Sequence, residues 1–162
     1  MSGKTTFMRM LGINQILANA GGLVCGSYFE YPNLEIVTSL RANDMLQEGI
    51  STFYAEINRM KKIISISEER KTLVLIDEIF KGTNAKDRVY ASLEIIKKLN
   101  SLGVYFVIST HDFELCDASN ILNYHFDENY IDNSISFEYK IKKGKCNKTN
   151  AIYLLKMAGV LK

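Results

Sequence analysis

The chain has 162 residues, 47% of them hydrophobic, 23% charged, and a formal net charge of +2. That length buries one full core without disulfides or metals, and the charge is too small for bulk electrostatics to indicate a nucleic acid or a membrane as partner. One proline and ten glycines leave no room for a disordered linker, so a single folded domain over 1–162 is expected.

The chain opens MSGKTT, and Ser2-Gly3-Lys4-Thr5 fits the second half of the pattern G-x-x-x-x-G-K-[ST]. In that loop, backbone N–H groups and a lysine cradle phosphates. The first glycine and the two positions after it are missing, so the expectation is a domain truncated within its phosphate loop. Phe7, Met8, Leu11, Ile16 and Leu17 follow at helical spacing up to Gly21-Gly22, predicting a helix from residue 4 to about 20. LVCGSYFEY and LEIVTSL are short β-prone runs broken by Gly26, Pro32 and Asn33.

A second helix is predicted from Ser51, its N-cap, with Phe53, Ile57, Met60 and Ile64 on one face. TLVLIDE at 72–78 and VYFVIST at 104–110 have the length and β-branched content of buried parallel strands, and residues 85–102 between them have helical period. Strand, helix, strand in that order is a βαβ unit, and the fold class expected is α/β with a mostly parallel central sheet flanked by helices. ILNYHFD and ISFEYKI predict an antiparallel C-terminal strand pair joined by a turn at ENYIDNS, and TNAIYLLKMAG predicts a last helix.

Cys25, Cys116 and Cys146 are odd in number, widely spaced and outside any C-x-x-C pattern, which points to reduced thiols rather than a disulfide framework or zinc site. No apolar run approaches the roughly 20 residues that span a bilayer, and no leader pattern fits the start, so a soluble cytoplasmic protein is expected. Lys140, Lys142, Lys143, Lys145 and Lys148 form the densest positive cluster, which reads first as a solvated turn and second as a phosphate-backbone contact.

The chemistry collects at strand ends. LVLIDE delivers Asp77 and Glu78 to the carboxyl edge of the sheet, where a phosphate loop also sits, and STHD brings Thr110 and His111 to the same edge. A carboxylate there can hold Mg²⁺, the next can polarise an attacking water, and a neutral imidazole can hydrogen-bond a γ-phosphate or that water. The plainer alternatives are a polar strand end and a loop histidine.

GKTT, STFYAEI, LVLIDEIFKGTNAKDR and STHDFEL stand in the order and approximate spacing of the ATPase domain of the MutS family, within the ABC ATPase superfamily, and nearly the whole chain resembles that domain. The resemblance implies a P-loop NTPase fold that is ABC ATPase-like, with ATP and Mg²⁺ as ligands. It implies that Ser2, Gly3, Lys4, Thr5 and Thr6 bind nucleotide, that Thr5 and Asp77 serve Mg²⁺, that Glu78 is the general base and that His111 is the switch residue.

Ser51 would reach, in trans, the γ-phosphate held by a second ATPase domain, in a dimer sandwiching two nucleotides; as a plain N-cap it would do no more than start its helix. Gly82-Thr83-Asn84 corresponds to the loop crossing that interface. The expected function is ATP binding and hydrolysis coupled to DNA, in mismatch repair or related transactions, through domains absent from this chain. The alternative is an inactive dimerisation or interaction module whose shortened loop no longer binds ATP. One departure stands out: the loop after Glu78 reads IFKGTN, where mismatch-repair members more often carry a Gly-Arg-Gly-Thr-Ser type sequence.

Overall fold

The computed structural model describes residues 3–40, 52–131, 134–146 and 159–160. Ser2, Ser51 and nearly all of the predicted last helix lie outside the described residues. The chain forms two compact units, one of Thr5–Asn120 and one of Met1–Lys4 with Ile121–Lys162.

The larger unit is built on three parallel strands, β1 (Glu35–Ser39), β2 (Thr72–Asp77) and β3 (Tyr105–Ser109), in the order β1-β2-β3. The central strand is the apolar run TLVLID, and its Val74, Leu75 and Ile76 are fully buried. Each such side chain contributes about 1.5–3 kcal/mol of burial free energy. The crossovers are α2 (Thr52–Glu69) and α3 (Ala85–Ser101), which touch each other and are bridged by Lys98 Nζ and Glu68 Oε1 at 2.7 Å. Asn84 starts α3 as its N-cap, accepting from the Asp87 N–H at 2.9 Å.

Helix α1 (Lys4–Asn19) matches the predicted span, yet the side it buries is only partly the apolar one. Met8 is buried while Ile16 is exposed, and Gly12, Asn14 and Gln15 face inward. A Cβ on Gly12 would stand 3.1 Å from Leu75 Cδ1, so glycine lets the helix approach β2 closely. The two amides hold the following connector: Asn14 Oδ1 accepts from Cys25 N at 2.7 Å and Gln15 Nε2 donates to Pro32 O at 3.1 Å. Asn19 Nδ2 adds a bond to Leu34 O at 3.1 Å. That connector contains LVCGSYFEY, which forms no strand; of the two β-prone runs only LEIVTSL supplies one, β1.

In α2 the inward face differs from the predicted one. Met60, Ile63 and Ser67 are buried, whereas Ile57 is 39% exposed. Spacings of three and four select this stripe, and Ser67 Oγ meets the buried Thr72 Oγ1 at 2.9 Å.

The smaller unit contains the antiparallel pair β4 (Tyr124–Ile131) and β5 (Ser134–Lys143). The strands are longer than predicted, because Glu128 to Ile131 pair with Phe137 to Ser134 instead of turning. Lys140, Lys142 and Lys143 accordingly sit on β5 rather than in a turn, and Lys142 pairs with Asp127 at 2.7 Å and Glu138 at 3.0 Å. Lys148 lies outside the described residues. Cys25, Cys116 and Cys146 form no disulfide. No described helix is long and apolar enough to cross a membrane.

Candidate functional site

The parallel register sets Asp77 beside Ser109 at the carboxyl ends of β2 and β3. Asp77 is buried, and both its oxygens are engaged. Ser109 Oγ donates to Oδ1 at 2.5 Å, and Thr5 Oγ1, in the first turn of α1, donates to Oδ2 at 2.7 Å. The paired expectation for Thr5 and Asp77 therefore has a geometric counterpart, two adjacent oxygen groups from residues far apart in sequence. The first turn of α1 contains no acidic residue of its own, and the carboxylate that meets it is that of Asp77. Lys4 opens that helix and Thr6 is exposed on it. Gly3, described with the smaller unit, has φ +104°, and an added Cβ would lie 3.4 Å from Tyr139.

The chain leaves β2 through a strained turn. Glu78 has φ +57° and Phe80 has φ +56°, in the left-handed region that costs a side-chain-bearing residue about 1–2 kcal/mol. The Glu78 N–H still donates to Ser109 O at 3.1 Å, which extends the β2–β3 ladder by one bond and fixes where its carboxylate begins. That carboxylate is 22% exposed; Oε2 pairs with Lys81 Nζ at 2.5 Å, and Oε1 lies 3.4 Å from His111 Nε2. The His111 side chain is 71% exposed. Phe80 turns inward and is buried, its ring 5.6 Å from that of Phe53 on α2 in an edge-to-face arrangement.

The loop after β3 has its own anchor. Arg88, in the first turns of α3, grips Asp112 with two hydrogen bonds, Nε to Oδ2 at 2.8 Å and Nη2 to Oδ1 at 2.6 Å. The Asp112 N–H also donates to Thr110 Oγ1 at 2.9 Å. The guanidinium holds the Asp112 carboxyl below its usual range, mainly through these hydrogen bonds.

Of the predicted residues, Thr5 and Asp77 come together, as do Glu78 and His111; Ser51 and Ser2 lie outside the described residues. Sequence reasoning missed Ser109, Lys81, Arg88 and Asp112. Ser109 was recoverable, since a parallel register that ends two strands together places it opposite Asp77. The Arg88–Asp112 pair had no local signal, because its members are 24 positions apart. No group of three or more histidine, cysteine, aspartate or glutamate side chains able to hold a metal occurs among the described residues.

A family model described as MutS domain V matches residues 1–162. The chain belongs to the MutS domain V family. Two relatives, each named DNA mismatch repair protein MutS, come from two strains of Leptospira interrogans, serovars copenhageni and Lai. Each is 34% identical over 166 residues, covering 99% of this chain and 20% of the relative. The chain thus spans about a fifth of the length of the curated relatives it matches. Membership in the MutS domain V family agrees with the expected α/β P-loop class and with the parallel sheet and antiparallel pair observed.

Proposed function

We propose that this chain binds and hydrolyses ATP as the ATPase domain of a MutS-type protein, working as one member of a pair of such domains. Its turnover would be coupled to DNA, in mismatch repair or a related transaction, through domains outside this chain. The observation that supports this best is the Thr5–Asp77–Ser109 cluster at the carboxyl edge of a parallel sheet, where α/β proteins bind their ligands.

In this reading Ser2, Gly3, Lys4, Thr5 and Thr6 hold the phosphates with backbone N–H groups, the lysine ammonium and the helix end. The hydroxyl of Thr5 and the carboxylate of Asp77 fit Mg²⁺, being two hard oxygen groups 2.7 Å apart. Two protein oxygens suit magnesium, which completes its octahedron with waters and substrate phosphates rather than with a protein cage. Bound there, it would neutralise charge on the phosphates.

Glu78 would orient the attacking water and take its proton, with His111 beside it to hydrogen-bond the water or the γ-phosphate. Ser51 would meet the phosphate of a partner domain. Titration calorimetry of the chain with Mg-ATP tests the reading. Saturable micromolar binding supports it, and no heat at millimolar nucleotide favours the non-catalytic interaction module.

A further inference from the structure

We propose that Arg88 and Asp112 are positioning residues that fix His111 against Glu78 and tie its loop to the start of α3; this rests on the ATPase reading for its consequence in turnover. The His111 side chain is 71% exposed, and its Nε2 lies 3.4 Å from Glu78 Oε1, at the long end for a hydrogen bond. The constraint comes from its neighbour. Asp112 is held bidentately by Arg88, in a planar fork geometry that fixes direction as well as distance. The Thr110 hydroxyl accepts the Asp112 N–H from the other side of the histidine, so residues 110 and 112 close a small turn around position 111.

Arg88 is itself fixed. Its N–H bonds to Asn84 O at 3.0 Å, and Asn84 is the cap of α3 directly after Gly82-Thr83. A continuous set of bonds therefore runs from the loop at 82–84 through Arg88 and Asp112 to the turn that carries His111. A shift of that loop on meeting a second domain would be felt at the imidazole. Glu78 also lies close enough to Arg88 for its charge to favour the guanidinium, after Asp112 and Glu114.

The test uses the 162-residue chain with R88M, R88K, D112N, H111A and the double variant R88M/H111A. In steady-state Mg-ATP turnover, R88M should lower kcat by about tenfold to hundredfold, as a misplaced group does, with KM for ATP within about twofold. R88K should recover part of the loss, because an ammonium replaces the charge but not the fork. R88M should cost nothing further once H111A is present. An equal loss in the H111A background would overturn the proposal.

A second readout needs no nucleotide. The chain has two histidines, and the His111 ring signals in NMR spectra should move in R88M and in the isosteric D112N while those of His125 stay in place. Unmoved His111 signals would also overturn it. Should the unmodified chain fail to turn over ATP, the ATPase reading falls, and the ring signals alone then decide the positioning role.

Discussion

Thr5 Oγ1 donates a 2.7 Å hydrogen bond to Asp77 Oδ2 across 72 positions of sequence. It joins the first turn of α1 to the end of β2, and Ser109 occupies the other carboxylate oxygen from β3. Three elements thereby meet on one buried side chain. Thr5→Val keeps the shape and removes the hydroxyl, so Asp77 has one donor fewer in a site that water barely reaches. The expected loss is about 1–3 kcal/mol of unfolding free energy in urea, together with weaker Mg-ATP binding by calorimetry. An unchanged urea midpoint would mean that the bond adds nothing to the fold.

Glu78→Gln removes the acceptor of a proton while preserving volume and the backbone bond to Ser109. Turnover should fall by about 10²–10⁴-fold, the usual contribution of a general base, while nucleotide binding persists. Single-turnover assays with radiolabelled ATP separate the two, and undiminished hydrolysis would remove Glu78 from that role.

The Asp112 carboxyl titrates below its unfolded value because Arg88 hydrogen-bonds the charged form. Its contribution to stability is therefore complete above the ordinary carboxylate pKa of about 4 and fades as pH falls through the lowered folded value. Thermal melts of the unmodified chain and of D112N should differ at neutral pH and converge in the acid range. A gap that stays constant down to the most acidic pH sampled would contradict the assignment.

Phe80 sets two effects against each other. Its positive φ costs about 1–2 kcal/mol, and its buried ring, packed on Phe53, returns about 3–5 kcal/mol, as judged from phenylalanine-to-alanine truncations. Packing wins, so Phe80→Gly should destabilise by about 2–3 kcal/mol even though it frees the backbone. Phe80→Ala should be worse than glycine by roughly 1 kcal/mol, since it loses the ring and keeps the strain. The inverse order in chemical denaturation would show that the turn relaxes once the ring is gone.

Ser92 is completely buried in α3, and its hydroxyl has no hydrogen-bond partner among the described residues. Ser92→Ala removes an unsatisfied polar atom and improves helix propensity, so a gain of about 1 kcal/mol is expected in denaturant titration. A loss would reveal a partner for the hydroxyl in solution.

The core strands were legible because their signal is local: TLVLID has no reading as an exposed segment, and the helical period of residues 85–102 fixed α3 nearly to its ends. Grouping Asp77, Glu78 and His111 at one edge followed from parallel pairing. What escaped depends on tertiary context. Ile57 and Ile63 are equally apolar in sequence, and only the placement of α2 decides that Ile63 is buried.

Glu128 to Ile131 form strand because a ladder partner satisfies their backbone, which overrides a polar composition suited to a turn. The left-handed backbone at Glu78 and Phe80 was invisible because neither residue type advertises it. Asn14 and Gln15 were hidden for the opposite reason, since amides on a helix are ordinarily solvated and here they serve the connector.

Those amides have a consequence for the order of assembly. Asn14, Gln15 and Asn19 fasten residues only 11, 17 and 15 positions downstream, so closing these loops is inexpensive compared with joining Thr5 to Asp77. Helix α1 and the irregular segment behind it can therefore take shape as a local unit before the sheet is complete, with low sequence separation favouring speed. The N-terminal end of α1 would then be captured last, when β2 and β3 bring Asp77 and Ser109 to Thr5. Folding would thus finish at the place where nucleotide is proposed to bind, and a ligand there would report on the last step of the fold.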